Sequence, residues 1–174
     1  MNIGRAWAMP NKNTFSIKPI AELIRRYNPS NLFSVDPFAN QNTLATITND
    51  LDPQYNTDYN LEATEFLGMF DDGSIDLVFF DPPFSQRQVS ECYKKLDKTV
   101  DMQTTQMSFW RKLKDEVGRV VKVGGIVISC AWCSSGVGKV RGFEIVEILL
   151  VAHGGSRNDT IVTVDKKVRQ TLEK

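Results

Sequence analysis

Short apolar runs alternate with longer amphipathic stretches along most of the chain. Apolar runs of about four to eight residues indicate buried strands, whereas apolar residues three or four positions apart indicate helices. A helical stretch precedes the first run, and others separate the second run from the third and the third from the fourth. This order predicts an α/β fold with a doubly wound, mostly parallel sheet covered on both faces. The predicted strands are residues 32–36, 45–49, 75–80, 126–131, 143–152 and 160–165.

Three stretches have the apolar spacing of helices. The first is expected to begin near Pro19, with Ser16 as its N-cap, because proline suits the first helical turn and serine the position before it. Residues 1–15 show little periodicity and are expected to be irregular. The helical stretches are 19–27, 60–70 and 86–122, the last with a break near 97–105 and an end at Gly124 and Gly125.

The last two predicted strands are separated by a short, glycine-rich segment. This segment, Gly154-Gly155-Ser156-Arg157-Asn158, suits a tight connection. Strands joined in this way pair as an antiparallel hairpin. A C-terminal antiparallel hairpin is therefore expected beside the parallel part of the sheet.

Three carboxylates stand where predicted strands end. Asp36 closes the first strand, Asp50 follows the second, and Asp81 follows the strand at 75–80. In an open α/β sheet, ligands bind beyond the carboxyl ends of the strands. The sequence therefore predicts a ligand site at this edge of the sheet.

Length and composition limit the class of protein. A chain of 174 residues favours one domain with its own core, so residues 1–174 are expected to form a single domain. No apolar run is long enough to span a membrane, and the N-terminus lacks the apolar region of a secretory leader. We expect a cytoplasmic protein without a membrane partner.

The cysteines do not predict a metal site. Three cysteines are an odd number, which fits a reducing compartment. Cys130 and Cys133 have the spacing of a metal or redox pair, but a zinc site needs two more ligands and only Cys92 and His153 remain. Two ordinary thiols near a strand end are the favoured interpretation, and no metal is expected.

The net charge is zero, but the charges are unevenly distributed. Residues 36–84 contain ten acidic side chains and no lysine or arginine, whereas residues 1–35 contain five basic and one acidic, and residues 85–122 nine basic and five acidic. These segments are either ordinary solvated faces, or an acidic pocket for a cationic ligand flanked by basic segments for a polyanion. Charge alone does not choose between the two.

With these strand ends, the chain resembles the amino-group DNA methyltransferases that use S-adenosylmethionine, and most of all the short phage-type adenine methylases. The strongest part of the resemblance is the tetrad Asp81-Pro82-Pro83-Phe84, which directly follows a buried strand. Lys18-Pro19, Asp36-Pro37-Phe38, Asp50-Leu51-Asp52-Pro53 and the segment around Glu62 resemble other motifs of the family more weakly. The resemblance implies a Rossmann-like methyltransferase fold and methylation of an exocyclic amine in DNA. Adenine N6 is the leading interpretation, and cytosine N4 remains an alternative.

The resemblance also implies which side chains hold the methyl donor. Asp36 and Phe38 correspond to the family's first cofactor motif, and Asp50 to the carboxylate near the ribose hydroxyls. Glu62 corresponds to an acidic segment near the donor's adenine, and Lys18 to a segment beside the donor. Surface roles remain open for Glu62 and Lys18, because both suit a solvated helix.

The chemistry of amino-group methylation suits the tetrad. The exocyclic amine of adenine is a poor nucleophile because its lone pair is delocalised into the ring. The Asp81 carboxylate and a backbone carbonyl near Pro82 can accept its two hydrogens, while the prolines stiffen the backbone and Phe84 stacks on the base. The alternative is that Asp81-Pro82-Pro83 is only a rigid turn; the aromatic residue after two prolines favours the site.

The sequence departs from the family where glycines are expected. Asn40-Gln41-Asn42 stands in their place, although asparagine tolerates left-handed backbone angles. The eight residues from Pro37 to Leu44 are too few for a helical crossover, so a turn is expected instead. A degenerate nucleic-acid-binding subunit that binds donor poorly therefore remains an alternative, as does an RNA amino-methyltransferase.

The chain leaves no room for a separate target-recognition domain. Residues 85–122 are the segment free to face nucleic acid. We therefore expect low intrinsic sequence specificity, or a homodimer or specificity partner that supplies it. The expected contacts to DNA are Arg87, Lys94, Lys95 and Arg111.

Overall fold

A computed structural model describes residues 1–29, 32–98, 107–155 and 157–170. Its strands are β1 (Asn2–Trp7), β2 (Ser34–Asp36), β3 (Ile47–Thr48), β4 (Ile75–Phe80), β5 (Val121–Ala131), β6 (Phe143–Ala152) and β7 (Thr160–Lys167). Its helices are α1 (Lys18–Tyr27), α2 (Ala63–Gly68), α3 (Gln86–Lys95) and α4 (Met107–Val120), with 3-10 turns at Thr14–Ser16 and Lys139–Arg141.

The strands form one seven-stranded, mostly parallel sheet in the order β1-β6-β7-β5-β4-β2-β3. Strand β7 runs antiparallel to both β5 and β6, and the other neighbouring pairs are parallel. The predicted α/β class and the C-terminal antiparallel hairpin are both confirmed.

Helices cover both faces of the sheet. On one face, α2 and α4 pack against β2, β4 and β5, with Phe66, Leu113 and Val117 fully buried. On the other face, α1 buries Ile20, Leu23 and Ile24 together with side chains of β4 and β5. Each large apolar side chain buried in this way stabilises the fold by about 1.5–3 kcal/mol.

Helix α1 begins as its sequence predicts, but with a different cap. Pro19 lies in the first turn, where its missing N–H costs nothing. Ile17, and not Ser16, occupies the N-cap position. The Ser16 hydroxyl donates instead to the Asn13 carbonyl over 2.8 Å, which closes the preceding 3-10 turn.

The expectation that residues 1–15 are irregular is wrong for β1. This strand pairs in parallel with β6, with Ile3 opposite Ile148 and Trp7 opposite Ala152. Ile3 and Trp7 are exposed, so the strand lacks the alternation of buried and polar positions on which strand prediction depends. Its partner lies more than 140 residues away along the chain, and local sequence carries no sign of it.

The predicted end of the long helix at Gly124 and Gly125 is also wrong. Helix α4 ends at Val120, and the glycines lie inside β5, where the register shifts from Ile75 opposite Val121 to Leu77 opposite Ile126. A Cβ on Gly125 would lie 2.8 Å from Val121 Cγ1. The glycines therefore permit a β-bulge, a role that glycine often has inside strands.

A buried lysine stabilises the junction between α4 and β5. Lys167 Nζ donates to the carbonyls of Gly118 and Val121, each over 2.7 Å. Carbonyls at the end of a helix have no partner within the helix, so Lys167 supplies what a C-terminal cap would. This contact comes from β7.

Other predictions concern connections. Residues 37–46, all described, contain no helix, which confirms the short turn expected between the first two strands. Helix α3 ends at Lys95, just before the predicted break at 97–105, most of which lies outside the described residues. In the part of the chain that the structure describes, no helix combines the length and apolar character that crossing a membrane requires.

Candidate active site at the carboxyl edge of the sheet

The loops that follow β2, β3 and β4 meet around a cavity of about 760 Å³. This volume is in the range of small-molecule binding sites. The Asp81–Phe84 tetrad forms one wall. Phe38, Ala39 and Asn40 form part of a second wall, and the Phe38 ring packs edge-on against Phe80 at 5.9 Å. A cavity therefore lies at the edge of the sheet where the sequence predicts the ligand site.

Asp81 extends from the end of β4 into this cavity. Its Oδ1 atom is buried and, within the described residues, has no hydrogen-bond partner. Burial raises the pKa of Asp81 to about 7, and a hydrogen bond from the Thr14 side chain opposes that rise. The carboxylate therefore has one buried oxygen without a partner in the described residues, and it ionises near neutral pH.

Two contacts fix the backbone of the tetrad. The Trp110 indole Nε1 on α4 donates to the Pro83 carbonyl over 2.9 Å. The Phe84 amide donates to Gln88 Oε1 over 2.6 Å, and the N-cap Ser85 of α3 accepts from the Gln88 amide at 3.3 Å. The tetrad is thus held between α3 and α4.

The loop after β2 is organised by the buried Asp36. Its Oδ1 accepts from the Phe38 amide at 3.0 Å, and its Oδ2 from Asn42 Nδ2 at 3.1 Å. Burial raises the pKa of Asp36 well above its usual range, although the Phe38 hydrogen bond opposes the rise. Asp36 is not among the residues that line the cavity. It acts indirectly, because its hydrogen bonds fix the loop that forms this wall.

Asparagines take the place of the absent glycines in this loop. Asn40 adopts the left-handed conformation at φ 52°, as its residue type predicts, and its amide donates to Asp50 Oδ2 over 2.9 Å. Asn49 is fully buried and donates to the carbonyls of Pro37 and Leu61 at 3.1 and 3.0 Å. Side-chain hydrogen bonds therefore hold the wall in shape without glycine.

Acidic side chains line the opposite wall. Asp52 forms an ion pair with Lys95 at 2.8 Å, which lowers its pKa, whereas burial raises the pKa of Asp50. Glu62 accepts from the Tyr93 hydroxyl at 2.6 Å. Together with Asp81, these carboxylates place four of the ten acids of residues 36–84 at the cavity, which Lys12, Lys95 and Lys112 also line.

Comparison with known proteins bears on the fold. No protein-family model matches the sequence, and no curated protein matches it. Among solved structures, 1,6-didemethyltoxoflavin-N1-methyltransferase from Burkholderia thailandensis, with bound 1,6-didemethyltoxoflavin and S-adenosylhomocysteine, superposes with a TM-score of 0.60 at 8% identity, over 87% of this chain and 78% of that one.

Two further structures give the same result. TrmN from Thermus thermophilus has a TM-score of 0.58 at 15% identity, over 87% of this chain and 49% of its own length. The putative methylase HI0767 from Haemophilus influenzae has a TM-score of 0.53 at 10% identity, over 87% and 88%. The chain has a Rossmann-like methyltransferase fold. It spans about half the length of TrmN.

This methyltransferase fold brings most of the predicted donor-binding residues together. Phe38, Asp50 and Glu62 line the cavity with the whole tetrad. Asp36 lies behind the wall, and Lys18 is exposed at the start of α1 and is not among the lining residues. Contacts from Asp36 or Lys18 to a ligand remain predictions, and the geometry gives Asp36 an indirect part.

The predicted nucleic-acid contacts lie on two helices, with Arg87, Lys94 and Lys95 on α3 and Arg111 on α4. Lys95 lines the cavity, but it is paired with Asp52. Arg87 pairs with Glu91 at 2.8 Å along α3, and Arg111 pairs with Asp115 at 3.8 Å along α4. Lys94 is exposed on α3 and is not among the lining residues. Contacts from these four side chains to nucleic acid remain predictions.

Sequence reasoning missed several residues of the site. The apolar stripe places Trp110 only in a helix, and the lack of periodicity predicts an irregular segment around Thr14. Periodicity gives no sign of either contact, because both depend on packing against the tetrad. The missed residues at or behind the cavity wall are Lys12, Thr14, Asn42, Asn49, Tyr93 and Trp110.

Proposed function

We propose that the chain is an S-adenosylmethionine-dependent methyltransferase that methylates the exocyclic amine of adenine, N6, in DNA. The observation that carries the proposal is Asp81, which lines a ligand-sized cavity and whose buried Oδ1 atom has no hydrogen-bond partner among the described residues. Leaving such an atom unpaired costs about 1–3 kcal/mol. A ligand N–H donor would account for its retention.

The residues around the cavity fit the methyl donor. The carboxylates of Asp50 and Glu62 line it and suit ribose hydroxyls and a positively charged ligand. Asn40 gives the wall a left-handed turn at the position where glycine would otherwise be needed. S-Adenosylmethionine, when bound, supplies an activated methyl group.

The chain's own residues position the target amine. Asp81 Oδ1 accepts one of its hydrogens and the Pro82 carbonyl accepts the other, while Trp110 engages the neighbouring Pro83 carbonyl. Phe84 stacks on the base. In a duplex the base must first be flipped out, and correct placement of the amine then supplies much of the rate enhancement.

The test is transfer of labelled methyl groups from S-adenosylmethionine to adenine-containing oligonucleotides. We expect transfer by the wild type and a loss of at least about a hundredfold in Asp81→Ala, the size associated with removal of one positioned group. Asp71→Ala, at an exposed aspartate, is the matched control. Equal transfer by wild type and Asp81→Ala would contradict the assigned role of Asp81.

A second candidate function is a nucleic-acid-binding subunit that has lost donor binding. The absence of both glycine and a crossover helix from residues 37–46 favours it. Calorimetry separates the two, because the enzyme must bind S-adenosylmethionine and Asp50→Ala should weaken that binding. Single-stranded DNA, duplex DNA and RNA of one sequence, assayed side by side, separate DNA methylation from RNA methylation.

A further inference from the structure

An exposed tryptophan stands beside the tetrad and outside the cavity. Trp132 follows β5 directly, and its side chain remains 43% exposed. Phe80 of β4 lies opposite Ser129 of the parallel strand β5, so the segments after both strands leave the sheet at the same edge. The contact of Trp132 with Phe84 places the indole beside the candidate active site.

Contact with Phe84 orients this indole. The two rings meet at 5.7 Å with an interplanar angle of 66°, an edge-to-face arrangement that is favourable for aromatic pairs. Phe84 lines the cavity, whereas Trp132 is not among the lining residues. Phe84 therefore presents aromatic surface inside the cavity, and Trp132 presents aromatic surface beside it, outside the cavity.

Ion pairs within the chain make base stacking more important for nucleic-acid binding. Lys95, Arg87 and Arg111 are each paired with a carboxylate of this chain, which reduces their attraction for phosphates. Proteins that bind single strands combine a positive groove with aromatic side chains on which successive bases stack. Where the groove is weakly positive, an exposed indole supplies affinity that does not depend on charge.

We infer that Trp132 stacks on an unpaired nucleobase adjacent to the target base, so that the site takes a single strand or a locally opened one. The inference rests on the proposed function for the position of the target base. In a duplex the adjacent base is paired and stacked until the target base is flipped out, whereas a single strand offers its bases without that cost. The expected substrate class is therefore unpaired nucleic acid.

The experiment measures binding of a labelled adenine-containing 12-mer to the full chain by fluorescence anisotropy, without methyl donor. We expect Trp132→Leu to bind the single strand about tenfold more weakly, the size expected when one base–aromatic stack is removed, and Trp132→Phe to bind almost as the wild type. Trp7→Leu, at a 66% exposed tryptophan on β1, should not change affinity. Single-stranded DNA, its duplex and RNA of the same sequence form the three arms.

Salt dependence provides a second readout. Removal of a stack should weaken binding equally at each salt concentration, whereas removal of a phosphate contact would reduce the slope of log affinity against log salt. Thermal unfolding identifies any variant with a folding defect. If Trp132→Leu is defective, Trp132→Phe serves as the second variant, because phenylalanine retains the packing on Phe84. Unchanged affinity in a folded Trp132→Leu, tighter binding of duplex than of strand, or no binding of either strand would overturn the inference.

Failure of this inference and failure of the proposed function give different results. If binding depends on Trp132 but no oligonucleotide is methylated, the stacking inference stands and the proposed methyltransferase function fails. If Trp132→Leu transfers methyl groups with an unchanged KM for the strand, the proposed function stands and the stacking inference fails.

Discussion

The indole Nε1 of Trp110 donates a hydrogen bond of 2.9 Å to the carbonyl oxygen of Pro83. This bond joins the first turn of α4 to the tetrad, while Phe109, Lys112 and Leu113 of the same helix line the cavity. One contact therefore connects the position of a cavity wall to the position of the residues proposed to hold the target amine.

Trp110→Phe should lower the rate of methyl transfer more than it lowers donor affinity. The phenyl ring keeps most of the apolar packing but cannot donate to Pro83, so the tetrad loses one of its two backbone anchors. We expect about a tenfold fall in kcat, since a misplaced reacting group is costly, and a fall of about 1 kcal/mol in unfolding free energy. Single-turnover kinetics and urea denaturation measure these, with Trp7→Phe as control. An unchanged kcat would show that the bond does not position the tetrad.

The pH dependence of methyl transfer should follow the ionisation of Asp81. Burial raises its pKa to about 7, and only the ionised carboxylate can accept an amine hydrogen at Oδ1 without carrying its own proton. The value of kcat/KM should therefore rise with pH and level off above about pH 7, because this parameter reports the free enzyme. Thr14→Val removes the hydrogen bond that lowers this pKa, so its profile should shift to higher pH, and Thr14→Ser should restore it.

Stability gives an independent measurement of the same group. A carboxyl whose pKa is raised in the folded state favours folding fully below its unfolded pKa of about 3.9 and loses that contribution as pH rises through about 7. Asp81→Asn does not ionise, so it should be more stable than wild type at pH 8, by at most about 4 kcal/mol. The difference should be smaller at about pH 5. An equal difference at both pH values would contradict the raised pKa.

Strand β4 and the first helix were predictable because their signals are local. Residues 75–80 are continuously apolar apart from Asp76 and run directly into Asp81-Pro82-Pro83, so both the strand and its end are visible in the sequence. Helix α1 likewise has apolar residues at helical spacing and a proline in its first turn. Where packing agrees with local pattern, sequence reasoning places the element correctly.

The features that were missed depend on distant partners. Strand β1 exists because Ile3 pairs with Ile148, and the end of α4 depends on Lys167, a residue type that is almost never fully buried but here is 1% exposed. In the site, Asn49 and Thr14 act through hydrogen bonds to other loops. No pattern within a window of a few residues can reveal such contacts.

Because Asn40 has a left-handed conformation, substitutions in the loop after β2 should differ in their effects on stability and donor binding. A β-branched side chain at φ 52° is strained by about 1–2 kcal/mol, so Asn40→Val should lower the unfolding free energy by that amount and weaken donor binding. Asn40→Gly should be tolerated. Gln41→Val, at the next and exposed position, is the control, and denaturation with calorimetry provides both readouts. Equal effects of the two valine substitutions would show that backbone strain does not control this wall.

Two adjacent basic residues of α4 should differ in their effect on nucleic-acid binding. Lys112 is exposed and lines the cavity, whereas Arg111 is paired with Asp115 and is not among the lining residues. A cation at the cavity mouth can reach a phosphate beside the target nucleotide, and removing one such cation reduces the slope of log affinity against log salt by about 0.7–0.9. Lys112→Gln should therefore weaken oligonucleotide binding and reduce that slope, while Arg111→Gln should change neither. Anisotropy titrations at several salt concentrations measure both variants. A larger effect from Arg111→Gln would instead place the nucleic-acid contact at Arg111, one of the four contacts that the sequence predicts.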